Sequence, residues 1–175
     1  MKKISKYILI LFVLISGITN VNAYNKNFSK YVKPSEATLK KTLTTTQYTV
    51  TQKDWTETPY KNLYRDNHSE GIYVDVVSGE PLFSSNDKYD SKTWRPSFTK
   101  PISKSVLATK EDKELWFVRT EVRSKYSNSH LGHVFDDWPT EKWWMRYCIN
   151  SASIKFIPKK NLKSAWYEKY IALFK

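Results

Sequence analysis

Cysteine and glycine are both scarce in this chain of 175 residues, which contains one cysteine and four glycines. A single thiol excludes an intramolecular disulfide and any metal site that needs a pair of cysteines. The N-terminal apolar run at residues 7–15 is too short to span a bilayer. With 40% hydrophobic residues, a chain of this length can bury one continuous core, so we expect a single compact domain.

The N-terminus has the composition of a secretion signal. Lysines precede the apolar run, and the small residues at 21–23 fit the site that a signal peptidase reads. We therefore expect a signal peptide over residues 1–23, an arm with a short helix over 24–42, and one domain over 43–175. The protein is then expected to be exported, to a periplasm or to the extracellular medium.

The mature chain is expected to be basic. Removal of the signal takes away three of the 29 Lys and Arg residues and leaves 26 basic against 17 acidic residues, a net charge of +9. This charge suits an envelope that faces anionic lipid or polymer. Because the basic residues are scattered among acidic ones rather than clustered, we expect no nucleic-acid ligand.

The residue pattern predicts a mainly β protein with an antiparallel core. Segments rich in β-branched and aromatic residues are separated by Ser, Gly, Asp and Pro turns. The predicted strands are 71–77, 117–122, 133–135 and 153–157. The predicted helices are a short one that starts at 34–36 and runs through Lys41, a second at 45–51, and a terminal amphipathic helix at 162–174.

The single thiol and a pair of imidazoles are the candidates for chemistry. Cys148 follows His130 and His133 by fewer than twenty residues. A lone buried cysteine is also a common apolar filler, and two histidines of this spacing can be ordinary strand residues. One distant cysteine and two histidines make a poor zinc set, because a fourth ligand is missing, so we expect no metal.

Four longer motifs in a fixed order remove that ambiguity. They lie at 71–85, 119–124, 129–135 and 146–151. Together they resemble the type B peptide-methionine (R)-S-oxide reductases, and the resemblance runs from about residue 43 to 174. It implies a fold of two antiparallel β-sheets with short peripheral helices. It also implies an enzyme that reduces the R epimer of methionine sulfoxide in proteins and so repairs them after oxidative stress.

The resemblance assigns roles that agree with the chemistry of a sulfoxide. Its sulfur becomes electrophilic when its oxygen is protonated or hydrogen-bonded, and a thiolate can then attack it. Cys148 is the implied nucleophile, which becomes a sulfenic acid. His133 and Asn150 are implied to assist it, and Asp137 is implied to orient His133.

Substrate contacts and recycling are also implied by the resemblance. His130, Arg146 and Phe135 are expected to bind substrate, together with Arg95, which stands where the family has a tryptophan that packs against the sulfoxide methyl group. Thr93 replaces the resolving cysteine of many relatives. We therefore expect no cofactor, recycling by an external thiol or thioredoxin-like protein, oxidised proteins as partners, and a monomer.

The Cys-x-x-Cys pair that many zinc-binding members carry near residues 75–78 is replaced here by Asp75, Val76, Val77 and Ser78, which predicts the zinc-free form. The altered residue at 95 leaves two other functions open. One is a non-catalytic relative that binds oxidised or aromatic peptides. The other is a thiol redox sensor in which oxidation of Cys148 is itself the signal.

The tryptophans form an unusual set. All seven stand where glycine is expected in that family: Trp55, Trp94, Trp116, Trp138, Trp143, Trp144 and Trp166. Our hypothesis is that the gene uses UGA for glycine and that the codon was read as tryptophan. The alternative is a diverged protein whose surface aromatics bind sugar or peptide.

Overall fold

The computed structural model describes residues 28–113, 118–137 and 145–175. Residues 1–27, on which the signal-peptide prediction depends, lie outside that part of the chain. Among the described residues, no helix has the length and apolar character needed to cross a membrane.

Two short helices open the domain, as the sequence predicts. Helix α1 (Glu36–Thr42) begins after Ser35, whose side chain accepts a hydrogen bond from the Thr38 amide. Helix α2 (Thr45–Gln52) begins with a capping box between Thr44 and Gln47, which satisfies two N-terminal amides at once. Helix α2 packs against strand β7 (His130–Phe135) and the turn at Ser151–Ser153, and so covers the end of the strand that carries the cysteine.

Two antiparallel sheets form the body of the domain, which confirms the predicted fold class. The smaller sheet has the strand order β2-β1-β9, and the larger has the order β3-β4-β8-β7-β6-β5. The smaller sheet consists of β1 (Gly71–Asp75), β2 (Pro81–Ser84) and β9 (Ile154–Pro158). The larger sheet consists of β3 (Lys88–Tyr89), β4 (Ser97–Phe98), β5 (Leu107–Asp112), β6 (Arg119–Ser124), β7 (His130–Phe135) and β8 (Arg146–Ile149).

The main core lies between the sheets and holds β4 against the strand that carries the cysteine. Phe98 of β4 stacks on Phe83 of β2 with ring centroids 4.5 Å apart, and meets Tyr73 of β1 edge-on at 5.0 Å. All three rings are fully buried, as is Ile149 of β8. Each such side chain contributes about 1.5–3 kcal/mol by leaving water. This packing fixes β4 beside β8, the strand that carries the thiol.

The predicted terminal helix is wrong. The chain forms a turn after Leu162 and then a 3-10 helix at Glu168–Phe174. The physical reason is Trp166, whose φ of +66° lies in the left-handed region and cannot continue a right-handed helix. Leu162 and Phe174 still pack with Ile72 in a second buried cluster, whereas Trp166 and Leu173 are exposed.

Candidate active site

The thiol lies at the centre of the larger sheet. Cys148 in β8 pairs with Ser97 of β4 on one side and with His133 of β7 on the other. Directly opposed residues in antiparallel strands have Cβ atoms about 4.5–5.5 Å apart. The thiol is free and 7% exposed. The fold therefore brings an imidazole beside the thiol from a strand fifteen residues away in the sequence.

A bulge in β7 brings the second imidazole to the same place. Gly132 pairs with Val122 and His130 with Arg123, which leaves Leu131 as an extra residue. Gly132 has a φ of +149°, and a Cβ on it would lie 2.1 Å from the carbonyl oxygen of Cys148. Residues three apart in a regular strand face opposite sides, but here the rings of His130 and His133 have centroids 5.5 Å apart.

Each imidazole is held by a buried or half-buried carboxylate. Nε2 of His133 hydrogen-bonds to Oδ2 of Asp112 at 2.7 Å, and Nδ1 of His130 hydrogen-bonds to Oε1 of Glu121 at 2.6 Å. Burial lowers the pKa of His133, although the hydrogen bond to Asp112 opposes this shift. Burial raises the pKa of Glu121, but its bonds to His130 and the charge of Arg123 bring the pKa below its ordinary value.

Both imidazoles open onto a cavity of about 330 Å³, whose walls include Trp55 and Arg119. Cys148 does not line it. Nε2 of His130 is buried without a hydrogen-bond partner in the described part of the chain, so a polar group of a ligand would satisfy it. A ring whose other nitrogen is held by a carboxylate has a fixed tautomer and can accept a second proton.

Asp137 has a different partner from the one expected. Its carboxylate accepts two hydrogen bonds from the guanidinium of Arg146, at 2.8 and 2.5 Å, while Asp112 holds His133. The bonds from Arg146 lower the pKa of Asp137 and raise the pKa of Arg146 itself. Arg146 also lies over the ring of Phe135, 4.2 Å from its centroid. Arg146, Phe135 and Asp137 thus form one group at the edge of the site.

Arg95 lies close to the thiol but is poorly satisfied. Its guanidinium stacks on the ring of Trp94 at 4.4 Å, and its Nε and Nη1 atoms are buried without hydrogen-bond partners among the described residues. Burial lowers the pKa of Arg95, and the charges of Cys148 and Glu57 oppose that shift. Two unpaired donors near a nucleophile can bind a polar or anionic group of a substrate. Thr93, at the position of the family's resolving cysteine, bonds instead to Ser91 at 2.9 Å.

Asn150 is fully buried at the end of β8. Its backbone amide and its side-chain Nδ2 both donate to the carbonyl oxygen of Leu131, at 2.8 and 3.1 Å. The side-chain Oδ1 accepts from the amide of Glu57 at 3.3 Å. Sequence reasoning missed Glu57 and Asp112. Both are acidic residues outside the motifs, and only the folded chain brings them to the site.

Among the described residues, one cluster of carboxylate and imidazole groups has the spacing of cation ligands. Ligand atoms of Asp54, Glu121 and His130 lie within 4.8 Å of one another. The guanidinium of Arg123 already bonds to Asp54 at 2.8 Å and to Glu121, so a protein cation neutralises this cluster.

Hydrogen bonds between oxygen atoms hold residues 75–78, which replace the family's cysteine pair. Oδ2 of Asp75 accepts bonds from the Ser78 hydroxyl and the Ser127 hydroxyl, both at 2.6 Å. Ser127 also bonds to Ser129 at 2.7 Å. This buried network joins the smaller sheet to the turn that leads into β7, and so fixes the start of the strand that carries both histidines.

Comparisons with known proteins agree with this architecture. The SelR domain family matches residues 43–158. A protein of Vibrio cholerae serotype O1 named "Peptide methionine sulfoxide reductase MsrA/MsrB" is 56% identical over 149 residues, which are 85% of this chain. The chain spans 39% of the length of that relative. The resemblance inferred from the four motifs is thus confirmed for the family, and the chain belongs to the SelR domain family.

Proposed function

We propose that this protein is a peptide-methionine (R)-S-oxide reductase that reduces methionine-R-sulfoxide in proteins. The observation that carries the proposal is the pairing of Cys148 with His133 in the centre of a sheet, with His130 brought beside them by the bulge. This arrangement combines one nucleophile with proton-carrying groups, which is what sulfoxide reduction requires. The name of the relative from Vibrio cholerae is consistent with it.

In the proposed reaction the Cys148 sulfur attacks the sulfoxide sulfur as the oxygen becomes protonated. The bond that this attack forms between the two sulfur atoms and the sulfur–oxygen bond of the sulfoxide then both break, so that methionine leaves and the oxygen ends on Cys148 as a sulfenic acid. The thiol and the sulfoxide are thereby converted to a sulfenic acid and a thioether, with no other oxidant or reductant consumed. Methionine sulfoxide is reduced by two electrons to methionine, and the cysteine is oxidised by two.

The proton is carried by the imidazoles. Asp112 holds His133 and Glu121 holds His130 in a fixed orientation, through hydrogen bonds of 2.7 and 2.6 Å. The unpartnered Nε2 of His130 is the atom that we propose meets the sulfoxide oxygen. Arg95 and Arg146 would add positive charge near the thiolate.

Recycling requires a second molecule, because the chain has one cysteine and cannot form an internal disulfide. An external thiol would condense with the sulfenic acid to give a mixed disulfide and water, and a second thiol would release Cys148. We propose a thioredoxin-like reductant and exported, oxidised proteins as substrates. The exported setting rests on the composition of residues 1–23.

The test is turnover of each sulfoxide epimer in a methionine-containing peptide with dithiothreitol as the reductant. We expect the R epimer to be reduced and the S epimer to remain. The Cys148→Ser variant is the matched control, and it should be inactive because a hydroxyl is a far weaker nucleophile toward sulfur. Without reductant, one methionine per enzyme and a dimedone adduct on Cys148 should form.

Arg95 is the observation that favours the alternative of a binding protein without turnover, since a guanidinium does not supply the apolar wall implied by the family. Tight binding of an oxidised peptide without release of methionine would support that function. Rapid oxidation of Cys148 by peroxide without sulfoxide turnover would support a redox sensor. Either result would contradict the reductase.

A further inference from the structure

Glu57 is a buried carboxylate that bonds to the segment directly after the nucleophile. It lies in the loop after α2, and it is 5% exposed. Its Oε1 accepts from the Ser151 amide at 2.7 Å, and its Oε2 accepts from the Ala152 amide at 2.9 Å. Hydrogen bonds to an ionised acceptor are about twice as strong as neutral ones. The carboxylate therefore fixes the turn that ends β8, three residues after Cys148.

The same residue reaches the amide side chain of Asn150. The Glu57 amide donates to Oδ1 of Asn150, while Nδ2 of Asn150 donates to the Leu131 carbonyl oxygen of β7. Asn150 is thus held from two sides, by Glu57 and by the bulge that orients the histidines. Because the donor is the backbone amide of Glu57, a change of the Glu57 side chain reaches Asn150 only by displacing this loop or the Ser151 and Ala152 amides that follow Asn150.

The loop that begins at Glu57 also contacts the segment that carries Arg95. Nδ2 of Asn62 donates to the carbonyl oxygen of Trp94, and the Tyr64 amide donates to the Ser151 hydroxyl at 3.2 Å. One loop therefore connects the end of β8 with the residue before Arg95.

Glu57, Arg95 and the thiol also interact through their charges. The buried guanidinium of Arg95 interacts electrostatically with both Cys148 and Glu57. Burial raises the pKa of Glu57. The hydrogen bonds from the Ser151 and Ala152 amides and the charge of Arg95 act in the opposite direction. A buried charge is costly unless it is paired. The negative charge of Glu57 compensates the positive charge that Arg95 brings beside the thiol.

We propose that Glu57 is a positioning residue, which holds Asn150 and Arg95 in the orientation that Cys148 needs for attack. The proposal rests on the proposed function where turnover is concerned, but its effect on the thiol can be measured without turnover. Substrate is not expected to touch Glu57.

The test compares Glu57→Gln with Glu57→Asp. The glutamine keeps the shape but removes the charge and turns an NH2 group toward a backbone amide. We expect kcat to fall by about tenfold to a hundredfold, since small displacements of reacting groups have effects of this size. We expect KM to change less than threefold. In Glu57→Asp the charge remains but is withdrawn by one methylene group, so kcat should be intermediate. Glu36→Gln is the control, because Glu36 is an exposed carboxylate bonded to Tyr48 in the helical region.

A second readout is the rate of Cys148 alkylation by iodoacetamide in the free enzyme. We expect it to change severalfold in Glu57→Gln and to return toward the wild-type rate in Glu57→Asp. A folded Glu57→Gln variant with wild-type kcat and alkylation rate would overturn the proposal. If that variant does not fold, a wild-type kcat in Glu57→Asp would overturn it. A wild-type enzyme without turnover would refute the proposed function, whereas the alkylation rates would still decide the role of Glu57.

Discussion

The backbone at Trp166 gives the sharpest test of whether glycine belongs there. Its φ is +66°. At this angle a residue with a Cβ destabilises the folded state by about 1–2 kcal/mol through steric contact with the backbone. Replacement by glycine and by alanine loses the same indole contacts, so the difference between the two variants isolates the backbone. Glycine also loses about 0.5–1 kcal/mol more than alanine in conformational entropy on folding. We therefore expect Trp166→Gly to be more stable than Trp166→Ala by about 0.5–1 kcal/mol.

Trp55 provides the matched control. It is 66% exposed and is not among the residues with positive φ. At this position alanine should be the more stable replacement, by about 0.5–1 kcal/mol. The free energies of unfolding of the four variants can be measured by urea titration. A preference for alanine at both positions would refute the reasoning. UGG codons at the seven tryptophans would separately contradict the hypothesis that UGA encodes glycine in this gene.

Three further changes test the site and its supports. Asp112→Asn should have a kcat for methionine-R-sulfoxide about tenfold or more below that of Asp137→Asn, because Asp112 holds His133 whereas Asp137 holds Arg146. Equal losses of kcat in steady-state kinetics would contradict this. Gly132→Ala should destabilise the protein by more than about 2 kcal/mol, because its Cβ would lie 2.1 Å from the Cys148 carbonyl oxygen; an unchanged thermal melt would be inconsistent with the bulge. Burial raises the pKa of Glu80 from 4.5 to about 7, so the stability it contributes is present below pH 4.5 and is lost as the pH rises through about 7. Glu80→Gln should therefore match the wild type in urea titrations at pH 4.5 and exceed it at pH 8, by at most about 3 kcal/mol; parallel stability curves would count against this shift.

The Asp137 prediction shows how far a motif can be read without the fold. The motif identified a carboxylate two residues after Phe135 and assigned it to His133. In the folded chain Arg146 lies opposite Phe135 in the neighbouring strand, and its guanidinium donates hydrogen bonds to the Asp137 carboxylate. Strand β8 was not predicted, so the cross-strand partner of the motif was unknown.

The terminal helix shows a second kind of limit. The apolar residues of 162–174 have the spacing of an amphipathic helix, but Leu162 and Phe174 are buried whereas Trp166 and Leu173 are exposed. Periodicity does not report the backbone angle at one residue. A single left-handed φ at Trp166 divides the segment.

The sequence by itself determined the family, through motifs in a fixed order, and the resemblance to that family implied the two-sheet fold. Residue patterning indicated an antiparallel core, and one cysteine leaves one candidate thiol. Only the tertiary structure decided which groups meet that thiol. Asp112 reaches His133, and Glu57 reaches Ser151 from 94 residues away. Such contacts depend on strand register and on a bulge that places both histidines on one face. They arise because packing brings distant parts of the chain together, and no short pattern in the sequence records that distance.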